Sequence, residues 1–233
     1  MRRGTLLASL AVLFAGQAAA QDIVAARYAA PTDRYGHRVL GAGGEWAALI
    51  LDLADGTVRR FTLPDTLVFE DVAPRLADLD GDGTSEVIVV ESSLREGARL
   101  AVYGPEGRIA TTPHIGTRNR WLAPAAIADL NGDGITDIAY VETPHLGKVL
   151  RVWSWTPGGL TEIARLSGVT NHRIGDEVIW GGLRDCGQGS EIVLADAGFQ
   201  SLVAVSFAGA TLAARPLGIE ASPAAFERAM ACG

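Results

Sequence analysis

The sequence predicts an all-β fold, a small β-propeller of about four four-stranded blades followed by a short C-terminal helix. Three observations predict it. Glycine is abundant, at 28 of 233 residues, while helical periodicity is nearly absent. Short apolar runs rich in β-formers recur between turn signals, which is the profile of a sandwich, a barrel or a propeller. One nine-residue acidic stretch also occurs twice, starting at Asp78 and again 51 positions on at Asp129, and that spacing is close to the period of propeller blades.

The two stretches are Asp78-Leu79-Asp80-Gly81-Asp82-Gly83-Thr84-Ser85-Glu86 and Asp129-Leu130-Asn131-Gly132-Asp133-Gly134-Ile135-Thr136-Asp137. Oxygen-bearing side chains fall at loop positions 1, 3, 5 and 9, with glycine at position 6. A loop folded back on itself points such side chains into one centre, where Ca²⁺ takes six to eight oxygens and position 7 can add its backbone carbonyl. The expected ligand sets are Asp78, Asp80, Asp82, Thr84 and Glu86 in the first loop, and Asp129, Asn131, Asp133, Ile135 and Asp137 in the second. Asp-Gly pairs are also ordinary hairpin signals. The repeated spacing favours the metal, because the first loop would otherwise crowd four like charges together. These are not EF-hands, whose loop closes on a glutamate at position 12 and leads into a helix. Here Val87–Val90 and Ile138–Val141 follow the last carboxylate and read as strands. A calcium loop inside a β-hairpin resembles the FG-GAP/VCBS repeat, the blade of integrin-α-type β-propellers. The resemblance implies calcium as the cofactor, and partners that dock on the face away from the calcium loops.

Taken in order, Met1-Arg2-Arg3, the apolar run Leu6–Ala15 and Ala18-Ala19-Ala20 read as a signal peptide over residues 1–20. Residues 21–233 are then the propeller domain, periplasmic or secreted. The apolar run is shorter than the roughly 18–20 residues needed to span a bilayer, and no other run is longer, so no membrane span is expected. With 27 acidic against 20 basic residues and a net charge of −7, nucleic acid and anionic membrane are poor partners.

Each repeat unit should hold strands A to D. Ile23–Tyr28, His37–Leu40, Ala47–Leu53 and Thr57–Leu63 are expected in the first unit, whose A–B loop has one carboxylate and no metal site. Pro74–Ala77, Val87–Val90, Ala98–Tyr103 and Gly107–Thr111 make the second; Pro124–Ala128, Ile138–Val141, Val149–Trp155 and Leu160–Leu166 make the third. The fourth begins Trp180–Arg184, then a shortened loop Asp185–Glu191 without the middle carboxylates, then Ile192–Ala195. Ser222-Pro223 is an N-cap followed by proline at the first helical position, and Phe226 and Met230 form one apolar edge. The two cysteines of an exported chain usually pair, so Cys186–Cys232 should tie this helix to the fourth unit.

Alternating strand directions put the A–B and C–D turns on one face, and the B–C turns and D-to-A crossings on the other. Three of the four histidines fall on the crossing-loop face. The candidate binding residues there are His114, Arg118, Arg120, Trp121, His145, His172 and Arg173. Loops on a rigid scaffold commonly carry binding groups; the same side chains also serve to satisfy crossing backbones. No nucleophile elbow, His-Glu-x-x-His helix or phosphate-cradling glycine loop is present, and the spacing of His114, His145 and His172 is not a local metal motif. Five tryptophans suggest a carbohydrate platform, but Trp153 and Trp155 share one strand face and are better explained by blade packing. The leading expectation is a non-enzymatic, exported, calcium-binding module for a protein or glycan partner. The alternative is a small periplasmic hydrolase or lyase using His114, Arg120, His145 and His172.

Overall fold

The computed structural model describes residues 22–41, 43–156 and 158–233; the expected signal peptide lies outside them. The described chain is all-β and antiparallel, with one helix. Unit one is β1 (Ile23–Pro31), β2 (Glu45–Leu53) and β3 (Val58–Thr62), and the short β4 (Leu67–Glu70) follows. Unit two is β5 (Arg75–Ala77), β6 (Glu86–Ser93), β7 (Gly97–Gly104) and β8 (Gly107–Thr111). Unit three is β9 (Leu122–Ala128), β10 (Asp137–Glu142), β11 (Val149–Thr156) and β12 (Gly159–Ser167). After β13 (Val169–Thr170), unit four is β14 (Gly182–Asp185), β15 (Ser190–Asp196), β16 (Ser201–Ala208) and β17 (Thr211–Glu220), and α1 (Pro223–Met230) ends the fold. Units two, three and four each pair as consecutive antiparallel neighbours, as the repeat predicts.

The middle strands are continuous apolar runs because both of their faces are buried, and the two-residue period of a strand divides each run between two cores. Val87 and Val89 of β6 pack with Leu49 and Leu51 of unit one, whereas Ile88 and Val90 pack with Leu122 and Ile138 of unit three. Tyr140 of β10 faces back to unit two, while Ala139 and Val141 face Ile192 and Leu194 of unit four. Val193 and Ala195 then meet Ala225, Phe226 and Ala229 of α1. Ser222 caps α1 by accepting the Ala225 N–H, Pro223 stands in the first turn, and a Cys186–Cys232 disulfide fastens its end.

Unit one departs from the expected pattern. His37–Leu40 is not a strand: β1 pairs directly with β2, so the unit has three strands. The cause is Glu45, whose buried carboxylate accepts the backbone N–H groups of Gly36, His37 and Arg38 at 2.7–2.9 Å. Arg38, at φ 54°, then closes a turn to Gly41. Donors gathered on one carboxylate are unavailable to a ladder. The unexpected β4 pairs with both β2 and β6, joining units one and two in one eight-stranded sheet.

Candidate functional site

The two acidic loops, between β5 and β6 and between β9 and β10, fold alike. Asp78 accepts the N–H groups of Gly81 and Gly83, and Asp129 accepts those of Gly132, Asp133 and Gly134. Asp80 accepts the Asp82 N–H as Asn131 accepts that of Asp133. Asp82 then accepts from Thr84 as Asp133 accepts from Ile135. Gly83 and Gly134 take φ of 87° and 85°, a conformation that side chains resist. The last carboxylate of each loop folds under it, Glu86 accepting the Leu79 N–H and Asp137 that of Leu130.

Burial raises the pKa of the Glu86 carboxyl, and the charges of Asp80, Asp82 and Asp78 add to the shift. Burial likewise raises Asp137, with help from Asp133 and Asp129. Oxygens of Asp78, Asp80 and Glu86 lie within 4.8 Å of one another. In the second loop the buried Oδ1 of Asp137 has no hydrogen-bond partner among the described residues. An all-oxygen donor set with an orphaned buried carboxylate oxygen fits a hard cation such as Ca²⁺. Asp82, an expected ligand, stands outside the three-carboxylate group and is held by both the N–H and the hydroxyl of Thr84.

The crossing-loop residues fall into two groups. Trp121 is buried and donates its indole N–H to the Glu70 carbonyl at 2.8 Å. His114 Nδ1 donates to the Gly97 carbonyl, and Arg118 donates to the Tyr35 carbonyl. The Arg120 carbonyl accepts from Ala98. His145, His172 and Arg173 instead gather around a surface hollow of about 290 Å³, also lined by Lys148 and Phe199. His114 and Arg120 do not line it. The Arg173 guanidinium lies 4.7 Å from the centre of the Phe199 ring and pairs with Asp176. Thr143, Lys148 and Phe199 beside this hollow hold left-handed backbones at φ 45–54°. Bulky residues adopt that conformation at a cost, so this turn geometry is imposed by its surroundings. Leu146 and Ile174 stand out beside it, 61% and 83% exposed.

Sequence reasoning missed His37, which it placed in a strand. His37 Nδ1 lies 2.7 Å from Oε1 of buried Glu70, whose other oxygen accepts from Ser92. The relevant signal is the clustering of polar residues at the ends of β4 and β6. Lys148 and Phe199 were also missed, since nothing in the local sequence marks a left-handed lysine or phenylalanine.

The His145–His172 pair has a defined proton arrangement. His172 Nε2 lies 2.9 Å from the Asp176 carbonyl, which can only accept, so Nε2 carries the hydrogen. The neutral ring therefore accepts at Nδ1, 2.8 Å from His145 Nε2. Burial, and repulsion from His172 once that ring is protonated, push His145 down from 6.5 to about 4, and burial lowers His172 as well. The unfolded chain takes up the His145 proton near pH 6.5 and the folded chain only near pH 4. Stability should be complete above the first value, fall between the two and level off below the second. With His145 partly in solvent, the loss should be about 1–2 kcal/mol. Urea denaturation of the protein and of His145→Asn at a series of pH values checks this, and the variant should show the shallower decline.

A family model of the FG-GAP-like repeat matches residues 78–140, which hold both acidic loops and the strands between them. Among solved structures, the chain is similar to rhamnogalacturonan lyase YesW, with 15% identity and a TM-score of 0.45, over 72% of this chain and 41% of that one. It is also similar to the exotype rhamnogalacturonan lyase YesX, with 17% identity and a TM-score of 0.46, over 69% and 35% of the respective chains. The chain thus spans less than half the length of either enzyme. No curated protein matches it.

Proposed function

We propose that this chain, which carries an FG-GAP-like repeat over residues 78–140, is an exported, calcium-stabilised, β-propeller-like binding module with four blade-like units. The observation that carries the reading is the gathering of the Asp78, Asp80 and Glu86 oxygens within 4.8 Å in a loop whose twin folds alike. Asp78, Asp80, Asp82, Glu86 and the Thr84 carbonyl would hold one Ca²⁺. Asp129, Asn131, Asp133, Asp137 and the Ile135 carbonyl would hold another. The bound cation supplies charge compensation to the crowded carboxylates, and the loop backbone keeps their side chains turned inward. The Cys186–Cys232 disulfide supports an oxidising, periplasmic or secreted setting. Among the described residues no helix is long and apolar enough to cross a membrane.

The partner, a protein or a glycan, is assigned to the crossing-loop face. There Lys148 and Arg173 offer donors and His145 an acceptor around the hollow, beside exposed Leu146 and Ile174. His114, Arg118, Trp121 and His172 support this face from behind through the contacts described above. Arg120 belongs to the same crossing.

Calorimetric titration with Ca²⁺ should show two sites per chain, the Asp78 loop binding more tightly because it has four carboxylates against three. Asp80→Ala and Asp133→Ala should each remove one. At a hundredfold excess over Kd, one bound ion adds about 2.7 kcal/mol to stability, so chelation should lower the melting temperature. No calcium binding at all would overturn the reading.

A further inference from the structure

We propose a second binding site, on the acidic-loop face, that takes a pyranose ring of a neutral glycan against Trp155. It is independent of the crossing-loop assignment. A cavity of about 690 Å³ lies between the two acidic loops and the turn from β11 to β12. That volume is within the range usual for small-ligand sites. Trp155, Ile109, Ile135, Thr136 and Asp80 line it together with glycines from all three loops.

The walls are held in place before any ligand arrives. Trp155 packs from behind on the core shared by units two and three. Its backbone N–H donates to the Thr136 carbonyl, and the Thr136 hydroxyl donates to the Asp78 carbonyl of the other loop. One hydrogen-bond chain thus fixes the aromatic floor and both flanks. A Cβ placed on Gly81, Gly134 or Gly158 would meet nothing within 4 Å, so the loops leave open space beside the tryptophan. Ile109 and Ile135 are 53% and 42% exposed beside the tryptophan, although isoleucine is ordinarily an interior residue.

The lining selects the ligand class. Among the described residues Asp80 is the one charged group on it, and Asp80 also belongs to the three-carboxylate cluster. A cation would find a single, shared carboxylate. An anion would meet the acidic loops. A purely apolar ligand would exclude water from the Asp80 carboxylate, which is unfavourable. A sugar ring offers C–H groups to the indole and the isoleucines, and hydroxyls to the Asp80 carboxylate and the hydroxyl oxygens of Thr136 and Thr156.

The test uses the full chain in calcium buffer, titrated with four neutral trisaccharides built from glucose, galactose, mannose or N-acetylglucosamine, and with tri-lysine. Intrinsic tryptophan fluorescence is the readout. At least one trisaccharide should give a saturable change, weakened about tenfold or more by Trp155→Ala. Ile109→Glu, a surface change that spares the core, should weaken it similarly, and Arg60→Ala, at an exposed position of β3, should leave it unchanged. Binding of none of the four sugars would overturn the proposal. So would sugar binding indifferent to both Trp155→Ala and Ile109→Glu, or a preference for tri-lysine.

Discussion

Glu91→Ala should destabilise the protein by about 3–5 kcal/mol, the range for removing one partner of a buried ion pair. Glu91 lies on β6 with its side chain fully buried. Arg99, its cross-strand partner on β7, donates to it from Nε and Nη2 at 2.9 and 2.6 Å. Tyr103 donates its hydroxyl at 2.6 Å, and Arg108 reaches over from β8 at 3.1 Å. One carboxylate thus ties three strands of unit two together. Alanine would leave the Arg99 guanidinium mostly out of water without its counter-charge, and the Tyr103 hydroxyl without its acceptor. Glu91→Gln keeps an acceptor and should cost less. Urea denaturation at neutral pH measures both, and a loss below about 1 kcal/mol for the alanine variant would show that solvent reaches this network.

Phe226→Ala should cost a similar amount, about 3–5 kcal/mol as for other buried phenylalanines. The Phe226 ring is buried under α1, stacked on Trp180 at 5.9 Å and packed at the same distance on Phe199. Beneath it lie Val193, Ala195 and Leu202, the outer face of unit four. Truncation opens a cavity where the helix meets the sheet, and the disulfide keeps the helix tethered without restoring the packing. The exposed strand face should then promote self-association at high protein concentration. Thermal unfolding reads the first effect and light scattering the second. Met230→Ala, at the partly buried end of the same edge, should do less of both.

Much of this architecture is written in local sequence. The apolar runs of β6, β10 and β15, the acidic hairpin loops, the Ser222-Pro223 cap and the cysteine pairing depend on residues close together or on a repeat that can be counted. What was not legible depends on distant partners. Val39 and Leu40 look like strand residues, and only the carboxylate of Glu45, folded back onto their turn, takes that segment out of the ladder. Leu67–Glu70 is apolar enough for a strand, yet a repeat of four strands per unit left it no place; its pairing with both β2 and β6 is a tertiary fact. The gathering of His145, Lys148, Arg173 and Phe199 needs three left-handed residues whose identities carry no warning of it. Trp155 was read as packing, and half of it is: its back serves the core, while its front faces a cavity that exists only when three loops meet.

The division of each middle strand between two cores bears on how such a chain can change its length over generations. A duplicated unit inserted between units two and three would meet on either side the kind of apolar face that its neighbours already present. The new contacts would replace the old one in kind, and neither terminus would have to be rebuilt. A unit added beyond unit four would first have to displace α1, which occupies the available face and is fastened there by the disulfide. Lineages of this chain should therefore gain and lose units from the middle of the array, with the helix and its two cysteines travelling together as the fixed end.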